Sequence, residues 1–187
     1  MRKPTLLVAL ALALSGSPAS AQYPPIDLGI QNITQQTPVW CWAAVAQQII
    51  ASLRGPQNTP SQCALVGVAF NVAPQVCCSQ PQACFTTGHL QQIQGLILQF
   101  GGRFSTLSPP AGPMEVYQTL RSGRAIVMAV MSSPYSGHVV VIRGMAWLPS
   151  PVGPQPVLYI NDPMSFFTQP VPFDRLVRYW SAAIVVS

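Results

Sequence analysis

Charge is the scarcest commodity in this chain: 7% of its 187 residues are Asp, Glu, Lys or Arg, against 49% hydrophobic residues. Lysine stops at Lys3, acidic residues number four, and there are two histidines, His89 and His138. A balance so thin, spread along the chain, offers no basic patch for nucleic acid or for an anionic membrane surface. Beyond the N-terminus no hydrophobic run is long enough to span a bilayer. No internal repeat recurs, and no linker divides the chain. A C-x2-C spacing is also missing, which weighs against a zinc site made of Cys77, Cys78, Cys84 and His89. The high apolar content argues against disorder, leaving Gln, Ser, Thr and Pro to cover the surface.

What is present starts with a signal peptide over residues 1–21. Arg2 and Lys3 form its charged start, residues 6–14 its apolar run, and Ala19-Ser20-Ala21 its small-residue cleavage site. An apolar run of nine residues is too short to cross a membrane. Residues 22–187 are then expected to form one exported domain, extracellular or periplasmic, of 166 residues. Its seven arginines stand against four acids. That length suffices for a single core. Only about twenty residues separate the cleavage site from Cys41, so no long pro-segment is expected before it.

Export gives the cysteines meaning, because disulfides persist outside the cytosol. Cys63, Cys77, Cys78 and Cys84 are clustered, and a bond between the adjacent pair would be strained. Two connectivities remain: Cys63 to Cys77 with Cys78 to Cys84, or Cys63 to Cys78 with Cys77 to Cys84. Either leaves Cys41 unpaired.

Residues 35–50, QQTPVWCWAAVAQQII, carry the strongest local pattern. Thr37-Pro38 reads as an N-cap followed by the first helical residue. Trp42, Val45, Ala46, Ile49, Ile50 and Leu53 then fall on one apolar helix face. Arg54 closes the last turn and Gly55-Pro56 stops it. Cys41 thus sits at the positive end of the helix dipole, where a thiolate is favoured. A small residue buried in a core helix would give the same pattern, so a base must be found elsewhere.

Further helices are expected at residues 61–66, at 87–100 after a Thr87 cap, and at 114–121. Residues 71–85 read as a stapled loop region. Short apolar, β-branched runs at 125–131, 139–145, 157–160 and 182–186 read as strands. Helices first and strands second point to an α+β domain with segregated lobes.

A cysteine nucleophile needs a base within hydrogen-bond reach, a group that orients the base, and donors for an oxyanion. His89 reads as a partly exposed polar residue near a helix start. His138 follows Gly137 and opens the strand VVVIRGM. Asn161 and Asp162 end the VLYI strand before Pro163, where either could accept an imidazole N–H. A plain Asx-Pro strand stop would look the same.

Taken together, W-C-W-A-A after a glutamine, then G-H-V-V-V, then N-D-P resemble the papain-like cysteine proteases. The likeness is greatest to the compact bacterial branch of secreted plant-pathogen effectors and relatives of bacteriocin-leader peptidases, and it extends over residues 35–163. It implies a papain-like two-lobe fold, with an N-terminal helical lobe and a C-terminal antiparallel β lobe. By the same resemblance Cys41 is the nucleophile, His138 the general base and Asp162 the orienting residue, with Asn161 as alternate. Gln35, six positions before Cys41, takes the oxyanion-donor role, with Gln36 as the neighbouring alternative. Trp40 and Trp42 either wall the site from water or belong to the core.

The implied reaction is hydrolysis of a peptide bond in a protein or peptide through a thiol acyl-enzyme, with no cofactor and no metal. A cysteine amidase or transferase acting on peptidoglycan or another amide would use the same residues. A catalytically silent binding module would keep the same fold. Two departures from the better-known relatives stand out: the long inhibitory pro-region is missing, and the staple cysteines are placed differently. Subsite preference is assigned to the loops 132–137 and 148–156.

Overall fold

The structure is a computed structural model that describes residues 23–131, 137–167 and 170–187. The expected signal peptide, and the loop expected at 132–137 except for Gly137, lie outside the described residues. The chain opens with a short strand, β1 (Ile26–Asp27), and then enters α1 (Cys41–Arg54). Next come α2 (Gln62–Ala69), α3 (Pro74–Ser79) and α4 (Leu90–Leu96), which runs on into a π turn at Ile97–Gly101. The rest is β2 (Ser105–Ser108), α5 (Pro113–Arg121), β3 (Ile126–Met131), β4 (Gly137–Leu148), β5 (Gln155–Asn161), β6 (Val171–Pro172), α6 (Phe173–Val177) and β7 (Trp180–Val186). The architecture is α+β, as the order of patterns predicts.

Helix α1 starts three residues later than Thr37-Pro38 suggests. Those two residues instead form a turn in which the Trp40 N–H donates to the Thr37 carbonyl at 3.2 Å. Trp40 becomes the N-cap, with no side-chain cap bond, so the first-turn N–H groups stay open around Cys41. Nor is the helix buried on a single face: Ala43, Ala44 and Gln48 are buried along with the expected Trp42, Val45, Ala46, Ile49 and Ile50. Leu53, expected inside, is exposed. Alanines on the extra faces let neighbouring elements approach closely, so α1 becomes the central post of the helical lobe.

Residues 74–79 form a helix where a loop is expected; six residues are too few for a readable period. The cysteines settle on the second connectivity. Cys63 pairs with Cys78, tying α2 to α3, and Cys77 pairs with Cys84.

The sheet runs β2-β7-β3-β4-β5-β6, every neighbouring pair antiparallel, with β1 added against β4. Its central strands are covered on both faces, which is why they read as unbroken apolar runs rather than alternating ones. Val127, Val139, Val141 and Ile184 pack with the α1 core. Ile126, Met128, Val140 and Ile142 face a second core closed by Val116, Tyr117 and Leu120 of α5. Where β1 crosses β4, a Cβ on Gly144 would come within 2.3 Å of the Ile26 carbonyl, so only glycine permits that contact. Among the described residues, no helix is long and apolar enough to cross a membrane.

Candidate active site

The N-terminus of α1 and the start of β4 meet across a cleft of about 620 Å³. Cys41 and Trp42 line one wall, Gly137 and His138 the other, and Met164 and Phe166 stand at the rim. Cys41 is half-buried and unpaired. No acceptor for its backbone N–H is found among the described residues, the consequence of an uncapped helix start.

His138 is paired across the sheet with Val130 and is buried. Its Nε2 lies 2.6 Å from Asp162 Oδ1, which leaves Nδ1 as the ring nitrogen for the Cys41 sulfur. Asp162 is wholly buried yet well solvated by protein. Oδ1 also accepts the Met164 N–H at 2.9 Å, and Oδ2 accepts those of Phe166 at 2.9 Å and Phe167 at 3.2 Å. β5 ends at Asn161 and Pro163 turns the chain, so these amides curl back over the carboxylate. The sequence motif shows the turn; it carries no sign that three main-chain amides converge there.

Burial alone would disfavour charge on both groups. For His138, burial opposes the imidazolium, but the Asp162 carboxylate and the Cys41 sulfur outweigh it and raise the ring from 6.5 to about 9. For Asp162, burial pushes the carboxyl up, while His138 and the Met164 and Phe166 amides pull it below its ordinary value. Phe166 also sets its ring edge against the imidazole, with centroids 6.2 Å apart.

Asn161 turns the other way. Its Nδ2 donates to the Ile30 carbonyl at 2.8 Å, inside the core, so the ring's partner is Asp162. Gln35 is half-buried and stands outside the cleft lining. Its Nε2 donates to the Thr37 carbonyl at 2.7 Å, and its Oε1 is buried without a partner among the described residues. Gln36 is exposed, and its main-chain N–H donates to Gln62 Oε1. Both tryptophans are buried: Trp40 Nε1 bonds the Cys84 carbonyl, and Trp42 Nε1 bonds that of Thr86. Trp42 is both core and cleft wall, and Gly88 packs so closely on its ring that a Cβ there would clash at 2.3 Å. His89 lines the same cleft from the start of α4, exposed and away from Asp162.

Chemically, the cleft offers an unpaired sulfur, a ring with one nitrogen fixed by a carboxylate, and an open N–H beside the sulfur. That set suits proton transfer from thiol to imidazole and attack on a polarised carbonyl.

Known proteins bear on this arrangement in three ways. No curated protein matches the chain in sequence. The fold is similar to a crystal structure from Bacillus anthracis described as that of a C39-like peptidase. The TM-score is 0.60 over 87% of this chain and 97% of that one, at 12% identity. Residues 25–171 match the family described as papain-like cysteine protease AvrRpt2. With most of its length inside that match, the chain belongs to the papain-like cysteine proteases and is a cysteine peptidase.

Proposed function

We propose that this protein is an exported peptidase that cleaves protein substrates through a Cys41–His138–Asp162 triad. The observation that carries the reading is the shared cleft: Cys41 faces the free side of a ring whose other nitrogen is bonded to Asp162 at 2.6 Å. His138 takes the thiol proton, and the sulfur attacks the scissile carbonyl carbon. Negative charge then gathers on the carbonyl oxygen beside the open Cys41 N–H at the positive end of α1. The imidazolium returns its proton to the leaving amine as the C–N bond breaks, leaving a thioester. Water, deprotonated by His138, hydrolyses the thioester and restores the thiol.

Asp162 holds the tautomer and stabilises the imidazolium without taking a proton. Gln35 is the second oxyanion donor in this reading, a part that requires its amide to turn from the Thr37 carbonyl toward the cleft. Residues 1–21 direct export, and residues 22–187 form one domain. An oxidising destination suits the pairs Cys63–Cys78 and Cys77–Cys84.

The test is hydrolysis of unfolded casein by the purified chain and by Cys41→Ser and His138→Ala. Each substitution should lower turnover by ~10⁴-fold or more with circular dichroism unchanged. Activity persisting in either variant would refute the triad. Peptidoglycan run in parallel decides the substrate: cleavage there with casein untouched would replace the peptidase substrate by a cell-wall amide.

A further inference from the structure

Between the expected export site and the nucleophile, residues 28–36 form a belt that crosses from the sheet to the helical lobe. Buried side-chain amides hold it from several directions, although Asn32 on the belt is itself exposed. Asn161 donates to the Ile30 carbonyl, and Gln62 donates to that of Thr34. From α1, Gln48 places both hydrogens of its Nε2 on the belt: one on Asn32 Oδ1 at 3.0 Å, one on the Ile33 carbonyl at 3.1 Å. Asn32 Nδ2 then donates to the main-chain carbonyl of Asp162 at 3.0 Å. One residue on, the Gln35 N–H donates to the Pro163 carbonyl at 3.1 Å.

Gln48 is the oddity in this set. It is 1% exposed on a helix whose other buried residues are Trp, Ala, Val and Ile, and its Oε1 has no partner among the described residues. A buried polar atom without a partner is costly, while the two Nε2 bonds satisfy Asn32 Oδ1 and the Ile33 carbonyl. Turning the amide over would set Oε1 against two acceptor oxygens, so its orientation is fixed. The residue is well placed to link α1 to Asn32 and Ile33.

We infer that Asn32, held by Gln48, is a positioning residue that fixes the Asp162 turn relative to the helix bearing Cys41. It contacts neither the sulfur nor the ring. The bridge spans the two lobes, and a pair of reacting groups carried on separate lobes needs such a reference, since a misplacement of about 1 Å can cost a hundredfold in rate. This inference rests on the triad reading above.

Three variants of the full chain test it, assayed with a quenched peptide taken from a casein cleavage site. Asn32→Ala should lower kcat about 10- to 100-fold with KM within about twofold. Asn32→Asp keeps the acceptor for Gln48 but loses the donor to Asp162. It should lower kcat comparably, which a belt serving only as scaffold would not. Gln48→Met should lower kcat about threefold or more at temperatures where the variant stays fully folded, with a modest fall in melting temperature because Asn32 Oδ1 and the Ile33 carbonyl lose their donor.

The pH profile of Cys41 alkylation by iodoacetamide gives a second readout. In Asn32→Ala its alkaline step should move below about 9, because a displaced Asp162 supports the imidazolium less. Wild-type kcat in Asn32→Asp and Gln48→Met, with a wild-type pH profile in Asn32→Ala, would overturn the inference. So would losses of kcat that merely follow losses of melting temperature. His138→Ala, run alongside, separates the two levels. If it stays active, the triad itself is wrong; if it is dead while the Asn32 variants behave as wild type, only the bridge is.

Discussion

Cys41 stands at a helix start with no side-chain cap, whereas the ring across the cleft is fixed by a carboxylate that itself accepts three main-chain N–H groups. The helical wall of the cleft is left open where chemistry would occur; the sheet wall is saturated. The contrast has a physical basis. A nucleophile must approach substrate and needs unpaired donors beside it for developing charge. A base must keep one tautomer and one orientation through the cycle, so its partner is best immobilised. The two sides of the cleft therefore differ in how they answer mutation.

The sharpest way to break the contrast is to compare Asp162→Ala with Asn161→Ala. The first should cut kcat/KM by ~10²- to 10⁴-fold, since the ring loses its orienting carboxylate. The second removes a buried bond to the belt and should cost about 1–3 kcal/mol of stability, with a far smaller loss of turnover. Steady-state kinetics beside urea unfolding reads both. Equal kinetic losses would mean that the saturated wall is a general scaffold and Asp162 has no special part.

On the helical side, the pairing of Cys63 with Cys78 closes a loop of sequence separation 15. Replacing both by Ser should cost about 3 kcal/mol in unfolding free energy. The pair lies away from the cleft lining, so kcat should change little at temperatures where the variant stays folded. A large fall in kcat would show that the open wall depends on distant rigidity after all.

The last effect is the dependence of stability on pH. His138 is raised from 6.5 to about 9, so its contribution is complete below about 6.5 and is lost as pH rises through about 9. Asp162 is lowered, so its contribution is complete above its ordinary 3.8 and is lost as pH falls through the folded value. Unfolding free energy should form a plateau between these limits and decline on both sides. His138→Ala should flatten the alkaline decline. An unchanged decline in that variant would assign it to other groups.

Much of this was legible beforehand, and the reasons differ by element. The apolar runs around Ile126–Met131 and Gly137–Leu148 announced strands because a doubly covered sheet tolerates little else. Cys41 in a first helical turn and His138 at a strand mouth followed from local patterns, and the chain's second histidine, His89, left few competitors. The start of α1 lies beyond the expected one because Thr37-Pro38 suits a turn as well as a cap. Strands β1, β2 and β6 and helices α3 and α6 have no signature in the sequence because two to six residues carry no period. Asn32 and Gln48 showed nothing at all, since an amide in a lead-in and a glutamine in a helix have no local signature.

By itself the sequence determined the α+β order, the unpaired cysteine, and the short set of groups from which a site could be drawn. These depend on composition and on spacing within single elements, where neighbours along the chain are neighbours in space. Tertiary structure alone decided which of Asn161 and Asp162 meets the ring, which sulfurs pair, and that a belt residue reaches the Asp162 turn. Each of those choices lies between groups that are local rivals and is settled by which distant partner arrives, a matter of packing that no short window of sequence contains.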